Sequence, residues 1–106
     1  MNRTAAAQTR NPDVFEGTFL FDPDDRIYAV HFPGNPVVPG SMIVGAFIRA
    51  AHEAGLASGA CSLHNFRFRK FIAPGEYAFR LEADGTALTC SLFAGGTTAA
   101  TGILKS

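Results

Sequence analysis

The stretch that decides the fold is residues 31–55, HFPGNPVVPGSMIVGAFIRAAHEAG. Its first ten residues hold three prolines and two glycines. Because proline fixes its own φ angle and lacks an N–H group, these residues predict a stiff, irregular loop. Apolar residues fill nearly every position from Met42 onward, which predicts about four turns of a helix surrounded by other elements. We expect Ser41 to cap this helix, and Gly55 or Gly59 to end it in a left-handed conformation.

On both sides of this loop and helix, the sequence has the pattern of β-strands. Val14–Phe21 is rich in aromatic residues and is followed by a turn-forming run of aspartates and proline. Arg26–Phe32 fits either a helical turn or an extended segment. Period-two alternation predicts a strand over Ala60–Ile72, with Leu63, Phe66 and Phe68 facing inward. Turn signals predict hairpin turns at Asp84-Gly85 and Gly95-Gly96. A last strand is expected over Thr97–Leu104. The expected fold class is α+β, with a curved antiparallel sheet wrapped around one α-helix.

Length and composition fit one globular domain. The chain has 106 residues, of which 47% are hydrophobic and 17% charged, so disordered and coiled-coil classes are excluded. We expect a flexible leader over residues 1–12 and a single domain over residues 13–106. Because so short a chain buries only part of its surface and still holds ten phenylalanines, some apolar surface should pack against another subunit. One face of the helix and an edge strand are the surfaces expected to need this cover.

The charge balance makes nucleic acid an unsuitable partner. Nine Lys and Arg residues are matched by nine Asp and Glu residues, so the chain lacks the positive excess that phosphate backbones require. The one cationic cluster is Arg67, Arg69 and Lys70, which alternates with phenylalanines. This alternation favours a half-buried strand with a solvated basic face. A stacking platform for bases and a docking strip for an acidic carrier protein are the two alternatives.

Compartment and cofactors are also constrained by the sequence. The N-terminal residues lack the apolar core of a signal peptide, and no apolar run is long enough to cross a membrane, so we expect a cytoplasmic protein without a membrane partner. Cys61 and Cys90 lack the CxxC spacing of metal and redox sites. We therefore expect no disulfide, no metal and no cofactor.

His31 is the first candidate for chemistry, because it lies on the proline-stiffened loop just before the helix. An imidazole titrates near neutral pH and can move a proton. The free backbone N–H groups of Gly40 and Ser41, at the start of the helix, can stabilise negative charge on a carbonyl oxygen. A base beside an oxyanion site indicates a polar reaction at a carbonyl group. The Ser41 hydroxyl lacks the G-x-S-x-G surroundings of a nucleophile.

Two stretches of the chain resemble one enzyme family. HFPGNPVVPGSMIVGA, from His31, is similar to the signature of the hotdog-fold β-hydroxyacyl-acyl-carrier-protein dehydratases, and FRFRKFIAPGE, from Phe66, is similar to the strand and turn that follow their central helix. The resemblance implies a hotdog fold. It also implies dehydration of a 3-hydroxyacyl thioester, carried on the phosphopantetheine of acyl carrier protein or coenzyme A, in a tunnel between two subunits.

The resemblance further implies roles for individual residues. His31 would take the C2 proton, the N–H of Gly40 would bind the thioester carbonyl, and the carbonyl of Val37 would orient the imidazole. The other implied substrate contacts are Phe32, Pro33, Pro39, Ser41, Gly45 and Phe47. Arg67, Arg69 and Lys70 would contact the carrier protein.

The chain departs from this family at Gly45. At this position, fourteen residues after the histidine, the family has a carboxylate on the central helix of the other subunit that helps the hydroxyl to leave. Three explanations stay open. His31 could return the proton itself, another group such as Arg49 or His52 could serve, or the protein could bind acyl chains without catalysis while Gly45 widens the pocket.

Two functions therefore stand beside a dehydratase-like enzyme. A hotdog thioesterase would need a carboxylate on the helix, where only Glu53 is available. A non-catalytic acyl-binding subunit would pair with a catalytically complete homologue as a heterodimer, whereas the dehydratase is expected as a homodimer or a higher oligomer. Apart from these possible roles, we expect surface or hydrogen-bonded positions for Glu53, His52 and His64.

Overall fold

The structure, a computed structural model, describes residues 2–4, 9–10, 14–30 and 34–105. The elements formed by these residues are β1 (Asn2–Thr4), β2 (Thr9–Arg10), β3 (Val14–Phe21), α1 (Ile27–Val30), α2 (Gly40–Glu53), β4 (Ser62–Phe68), β5 (Gly75–Asp84), β6 (Ala87–Ala94) and β7 (Thr97–Lys105). The ambiguous segment before the proline loop thus contains a single helical turn, α1. The predicted strand over Val14–Phe21 is confirmed at both ends.

The central helix α2 begins earlier than predicted. Its N-cap is Pro39, which has an extended backbone with φ −62° and ψ 145°, and no side chain caps the first turn. The prediction that Ser41 is the N-cap is therefore wrong: the proline fixes the extended residue before the helix, and Ser41 lies inside the first turn. The predicted end is confirmed, because the helix stops at Glu53 and Gly55 adopts a left-handed φ of 72°.

The strands form one antiparallel sheet in the order β1-β3-β5-β6-β7-β4, with β2 also paired to β3. Both predicted hairpins are present, but the first turn is shifted by one residue: Asp84 pairs with Ala87, so the two-residue loop is Gly85-Thr86 and not Asp84-Gly85. Gly85 has a positive φ in the turn that joins β5 to β6, and Gly95 and Gly96 both have positive φ between β6 and β7, as tight two-residue turns require. The last three strands therefore form a continuous meander.

The predicted flexible leader is wrong for the described part of residues 1–12. Asn2–Thr4 and Thr9–Arg10 both pair antiparallel with β3, at opposite ends of that strand. The free edge of β3 offers unpaired N–H and C=O groups, and the N-terminal residues satisfy them although their composition is small and polar.

The sheet wraps around α2, so the expected arrangement of strands and helix is confirmed. The rings of Phe19 on β3 and Phe79 on β5 stack with centroids 4.0 Å apart. Phe47 on α2 meets Phe19 edge-on, with centroids 5.2 Å apart. All three side chains are fully buried or nearly so. This aromatic contact fixes the helix against the concave face of the sheet.

A β-bulge interrupts β4, which is shorter than the predicted strand. Its register with β7 shifts between His64 and Arg67, and Asn65 has a positive φ of 54°. The bulge turns Phe66 inward, where its ring lies over Gly102 so closely that a Cβ there would collide with it. The bulge explains why the predicted inward residues change from an odd-numbered position, Leu63, to even-numbered positions, Phe66 and Phe68.

Two surfaces of the described protomer are uncovered. The edge strand β4 leaves Leu63 50% and Phe68 44% exposed. Both lie on the inner face, as predicted, because they pair with the buried Leu104 and Ala100 of β7, but a single protomer does not cover them. On α2, the positions spaced by one turn at Ser41, Gly45 and Arg49 are also exposed. An edge strand and one helix face are the two surfaces that were expected from the sequence to need cover.

Candidate active site

A cavity of about 320 Å³ lies at the N-terminal end of α2. The proline loop, the first turn of α2 and the segment after β4 supply its lining, which is Val37, Val38, Pro39, Gly40, Ile43, Phe68, Lys70 and Phe71. The N–H of Val38 donates a hydrogen bond to the carbonyl of Ile72, 2.9 Å away, and so fastens the loop to that segment. The cavity is apolar apart from one lysine and the helix terminus, as is usual for small-molecule sites.

Gly40 places the backbone of the helix against an aromatic ring. A Cβ at this position would lie 3.0 Å from Cζ of Phe68, closer than ordinary van der Waals contact allows, so a glycine permits the approach. As first residues of α2, Gly40 and Ser41 have N–H groups without an acceptor inside the helix. The helix dipole adds partial positive charge at this end. This wall of the cavity can stabilise negative charge on an oxygen atom.

Three of the predicted site residues, His31, Phe32 and Pro33, lie outside the described residues. The description ends at Val30, the last residue of α1, and resumes at Gly34, three residues before the cavity lining begins. The roles of His31, Phe32 and Pro33 therefore remain predictions from the sequence.

Of the other predicted substrate contacts, some line the cavity and others do not. Val37, Pro39 and Gly40 line it, whereas Ser41 and Gly45 are exposed on the open face of α2, where a Cβ at Gly45 would meet nothing within 4 Å. Phe47 is fully buried in the aromatic core and is absent from the cavity lining. α2 turns this position toward Phe19, and its substrate contact stays a prediction.

The three basic residues of the predicted carrier contact lie on two different surfaces. Lys70 lines the cavity, and its Nζ donates hydrogen bonds to Oγ1 of Thr97 at 2.6 Å and to the carbonyl of Ala94 at 3.4 Å. Arg67 and Arg69 line a separate groove on the outer face of the sheet. The sequence places these residues in one cluster, but Lys70 lies two residues beyond the end of β4, where the chain has left the strand, and it lines the cavity and not the groove on the outer face.

The remaining histidines and the helix carboxylate are surface residues. A ring nitrogen of His52 lies 2.9 Å from the carbonyl of Gly59, and one of His64 lies 3.0 Å from Oγ of Ser62. Glu53 is exposed at the last residue of α2. At about 1.5 Å of rise per residue, Glu53 lies about 20 Å along the helix from Gly40. The described structure therefore brings neither His52 nor Glu53 to the cavity.

Neither cysteine adds reactive chemistry to the cavity. Both are free thiols, and burial raises the pKa of Cys90 to about 12, so it stays protonated at neutral pH. In the part of the chain that the structure describes, no three His, Cys, Asp or Glu side chains come together in a way that could hold a metal ion. Across those same ranges, the helices are too short or too polar to span a membrane.

Sequence reasoning missed Tyr28 on α1. The side chain is 7% exposed, and its hydroxyl has no hydrogen-bond partner among the described residues. Burial, followed by the nearby Asp25 carboxylate, raises the pKa of this phenol, so the hydroxyl is neutral. A tyrosine in an apolar run gives no signal in the sequence that its hydroxyl will be buried.

We predict that Tyr28→Phe raises the free energy of unfolding by about 1 kcal/mol, because it removes a buried hydroxyl without a partner. Tyr77→Phe is the matched control. The Tyr77 hydroxyl donates to the carbonyl of Ala73 at 2.6 Å, so this variant should be neutral or slightly destabilised. Urea denaturation measures both changes. A loss of stability in Tyr28→Phe would show that its hydroxyl has a bonding partner.

A helix held in a wrapped antiparallel sheet, with a cavity at the helix N-terminus, is the architecture of hotdog proteins. Comparison with solved structures agrees. The dehydratase heterocomplex ApeI:P from Xenorhabdus doucetiae superimposes with a TM-score of 0.80 at 19% identity, over 99% of this chain and 96% of that one. A thioesterase from Pseudomonas aeruginosa has a TM-score of 0.65 at 12% identity, over 92% of this chain and 76% of that one. The chain has a hotdog fold.

Within this fold, the chain belongs to the ApeI-like family, described as ApeI dehydratase, whose sequence pattern matches residues 7–99. Two curated relatives are named 3-hydroxyacyl-[acyl-carrier-protein] dehydratase FabZ. The one from Acetivibrio thermocellus is 33% identical over 69 residues, or 58% of this chain and 47% of the relative. The one from Caulobacter sp. (strain K31) is 30% identical over 80 residues, or 66% of this chain and 48% of the relative. The chain thus spans about half the length of these relatives.

Proposed function

We propose that the protein is a cytoplasmic enzyme that dehydrates 3-hydroxyacyl thioesters. The observation that carries the proposal is the apolar cavity closed by Gly40 and Phe68 at the N-terminus of α2. In the sequence, this helix follows the proline-rich stretch that begins with His31. An apolar cavity suits an acyl chain, and the free N–H groups suit a thioester carbonyl. The curated relatives named above act on acyl carrier protein substrates by name. Free thiols at both cysteines fit a reducing compartment.

The chemistry needs a base, an oxyanion site and a route for the hydroxyl. His31 takes the C2 proton, and the electron pair of the broken C–H bond forms the C2–C3 double bond as the C3–O bond breaks. Negative charge that builds on the thioester oxygen is stabilised by the N–H of Gly40. The imidazolium then gives its proton to the departing hydroxyl on the neighbouring carbon, so that water leaves. In this scheme His31 does the work of both base and acid, because Gly45 supplies no acid.

The cavity itself can be tested by filling it. We predict that Gly40→Ala slows water loss about tenfold or more, because the new methyl group displaces Phe68 and shifts the N–H donor. Complete loss of such a donor costs about 10² to 10³ in rate. The appearance of the conjugated enoyl thioester measures the rate.

Second-site rescue supplies the control for this test. Gly40→Ala combined with Phe68→Leu gives the methyl group room and should recover most of the lost rate. If the single variant turns over as fast as the parent protein, the cavity is not where the thioester binds. If the double variant stays slow although its melting temperature equals that of the parent protein, the space beside Gly40 is not what limits the reaction.

We propose a homodimer joined through the edge strand β4, with the cavity completed by the partner. The exposed Leu63 on the strand edge and the open face of α2 around Gly45 support this assembly. A heterodimer with a homologue that carries the missing carboxylate is the alternative, and the solved heterocomplex of a dehydratase with this fold supports it. In either case the edge strand obtains the partner that unpaired backbone groups need.

We predict a particle of about 22 kDa in light scattering, twice the 11.2 kDa chain. Leu63→Asp should shift it toward monomer, because a carboxylate would be buried at the joined edge. Thr89→Asp, on the exposed outer face of β6, is the matched control and should remain dimeric. A stable monomer of the parent protein at micromolar concentration would contradict the homodimer. A parent monomer that dimerises only with a homologue would support the heterodimer.

A thioesterase is the weaker candidate. Hydrolysis would need a carboxylate to activate water at the thioester, and Glu53 lies at the far end of α2 from the cavity. The thioesterase with the same fold is only 12% identical, which shows common architecture alone. A non-catalytic acyl-binding subunit is the stronger alternative, since Gly45 leaves the expected position of the acid empty.

A further inference from the structure

Phe71 is the most exposed of the large apolar residues that the structure describes. It is 88% exposed, although it lines the apolar cavity at the N-terminus of α2. A phenyl ring in water is unfavourable, and cover by another apolar group is stabilising. The ring of Phe71 therefore gains stabilisation when a further molecule covers it at the cavity.

Hydrogen bonds hold the backbone on both sides of Phe71. The two N–H groups that precede it both donate to the carbonyl of Ala99 on β7, at 2.7 and 3.3 Å. After it, the carbonyl of Ile72 accepts from the N–H of Val38 at 2.9 Å, and Ile72 is buried. The place of Phe71 at the cavity is thus fixed by its neighbours, and movement of its ring is confined to rotation about the side-chain bonds.

The nearby Phe68 differs from Phe71 because its ring has partners within the protomer. A Cβ at Gly40 would lie 3.0 Å from its Cζ atom, and its centroid is 6.5 Å from that of the Phe66 ring. Among the described residues, no aromatic ring lies against Phe71, which is twice as exposed as Phe68. Phe68 therefore belongs to the wall of the cavity, and Phe71 to its mouth.

The two ends of the cavity differ in exposure. Val38 and Ile43 are buried, whereas Lys70 and Phe71 are exposed and mark the mouth. In the proposed reaction the thioester carbonyl lies at the N–H of Gly40, and the thiol arm leads out to its carrier. The arm therefore leaves past the exposed residues of the lining. A pantetheine arm has methyl and methylene groups between its amides, and these are groups that a phenyl ring can cover.

We propose that Phe71 is a specificity-determining residue, which selects thioesters of pantetheine by packing its ring against the arm at the mouth of the cavity. The proposal rests on the proposed function, because it takes the cavity as the thioester site. The contact is independent of the carrier protein and of the phosphate that joins the arm to it. Since the bound substrate and the transition state share this contact, it acts on KM and leaves kcat unchanged.

The first test compares two substrates with the same acyl group and different arms. They are the 3-hydroxyoctanoyl thioesters of pantetheine and of N-acetylcysteamine, whose arm ends after one amide. We expect Phe71→Ala to raise KM for the pantetheine thioester about five- to tenfold, the effect of uncovering part of a phenyl ring, with kcat unchanged. KM for the short thioester should change less than about twofold. Phe71→Leu should recover most of the loss, because leucine restores an apolar side chain.

Phe93→Ala is the matched control for this comparison. Phe93 lies on the outer face of the sheet, where its ring centre is 5.8 Å from the guanidinium carbon of Arg80, and it does not line the cavity. This variant should keep KM for both thioesters. Equal effects of Phe71→Ala on the two thioesters, or no effect on either, overturn the proposal. A shift of Phe71→Ala to monomer in size-exclusion chromatography, with the ratio of the two KM values unchanged, would make Phe71 a subunit contact and also overturn it.

The second test needs no turnover. The chain has no tryptophan, so Phe71→Trp places a single indole at the mouth of the cavity. The probes are the 2-oxononyl thioethers of pantetheine and of N-acetylcysteamine, which keep a carbonyl and can be neither dehydrated nor hydrolysed. We expect the pantetheine probe to shift the indole emission to shorter wavelength, because the arm covers the ring, and the short probe to leave it unchanged.

The two tests separate this proposal from the proposed function. An emission shift in a protein that turns over neither thioester supports the contact with the arm and contradicts the dehydratase. Turnover of both thioesters without the KM difference and without the emission shift supports the dehydratase and overturns the contact. An indole emission that is already at short wavelength before the probe is added would show that the partner subunit covers Phe71, and this result would overturn the proposal as well.

Discussion

His31→Ala is expected to abolish water loss from 3-hydroxyacyl thioesters while the protein stays folded. The proposed mechanism gives His31 the removal of the C2 proton and its return to the leaving hydroxyl. A general acid or base contributes about 10² to 10⁴ in rate, and here both contributions depend on one side chain. In the sequence the residue belongs to the predicted proline-rich loop before the helix, so its loss should not disturb the aromatic core.

The control for this variant is His64→Ala. His64 is exposed on β4 and hydrogen-bonded to Ser62, so this change removes an imidazole without touching the cavity. Circular dichroism and size-exclusion chromatography verify that both variants fold and assemble. A folded His31→Ala protein that keeps most of its activity would mean that the HFPG motif is retained for architecture, and the mechanism proposed above would be wrong.

Gly45→Glu is expected to accelerate water loss if the site is a dehydratase without its helix carboxylate. A Cβ at Gly45 meets nothing within 4 Å in the protomer, so a longer side chain does not collide with its own subunit. Removal of glycine from the helix interior should also stabilise α2 by about 0.5 to 1 kcal/mol. The new acid would protonate the leaving hydroxyl in the partner's cavity, and the gain cannot exceed the roughly 10² to 10⁴ of general acid catalysis.

Gly45→Gln separates acid catalysis from shape, because glutamine has nearly the size of glutamate but cannot act as an acid. If glutamate speeds the reaction and glutamine does not, Gly45 is the vacant acid position. If both variants bind acyl thioesters more weakly, Gly45 makes room for the acyl group. If both leave rate and binding unchanged, Gly45 does not face the substrate and the assigned register of the helix is wrong.

The sequence allowed the architecture to be predicted because the proline loop, the apolar helix and the glycine turns act locally. Gly95 and Gly96 adopt the left-handed conformations that their position requires, and Gly55 ends the helix in the same way. One error has a local cause and another depends on a longer-range contact. Pro39 fixes the helix start, so Ser41 is not needed as a cap. The free edge of β3 recruits the N-terminal residues into the sheet.

The candidate site was predicted in part for the same reason. Val37, Pro39 and Gly40 are consecutive or nearly so, and one loop carries them to the cavity. The placements of Phe68 against Gly40, and of Phe47 in the core, depend on the sheet and could not be read from local pattern. The bulge at Asn65 likewise depends on the pairing of β4 with β7. It changes which side chains of a basic and aromatic run share a face.

Mass spectrometry of the products tests the central claim most directly. The parent protein and the His31→Ala variant are incubated with a 3-hydroxyacyl thioester, and the mass of the thioester is followed over time. The account predicts loss of one water molecule from the intact thioester, with the parent protein only. Release of free thiol would identify a thioesterase, and an unchanged thioester bound by the parent would identify a non-catalytic acyl-binding subunit; either result would contradict the proposed dehydration.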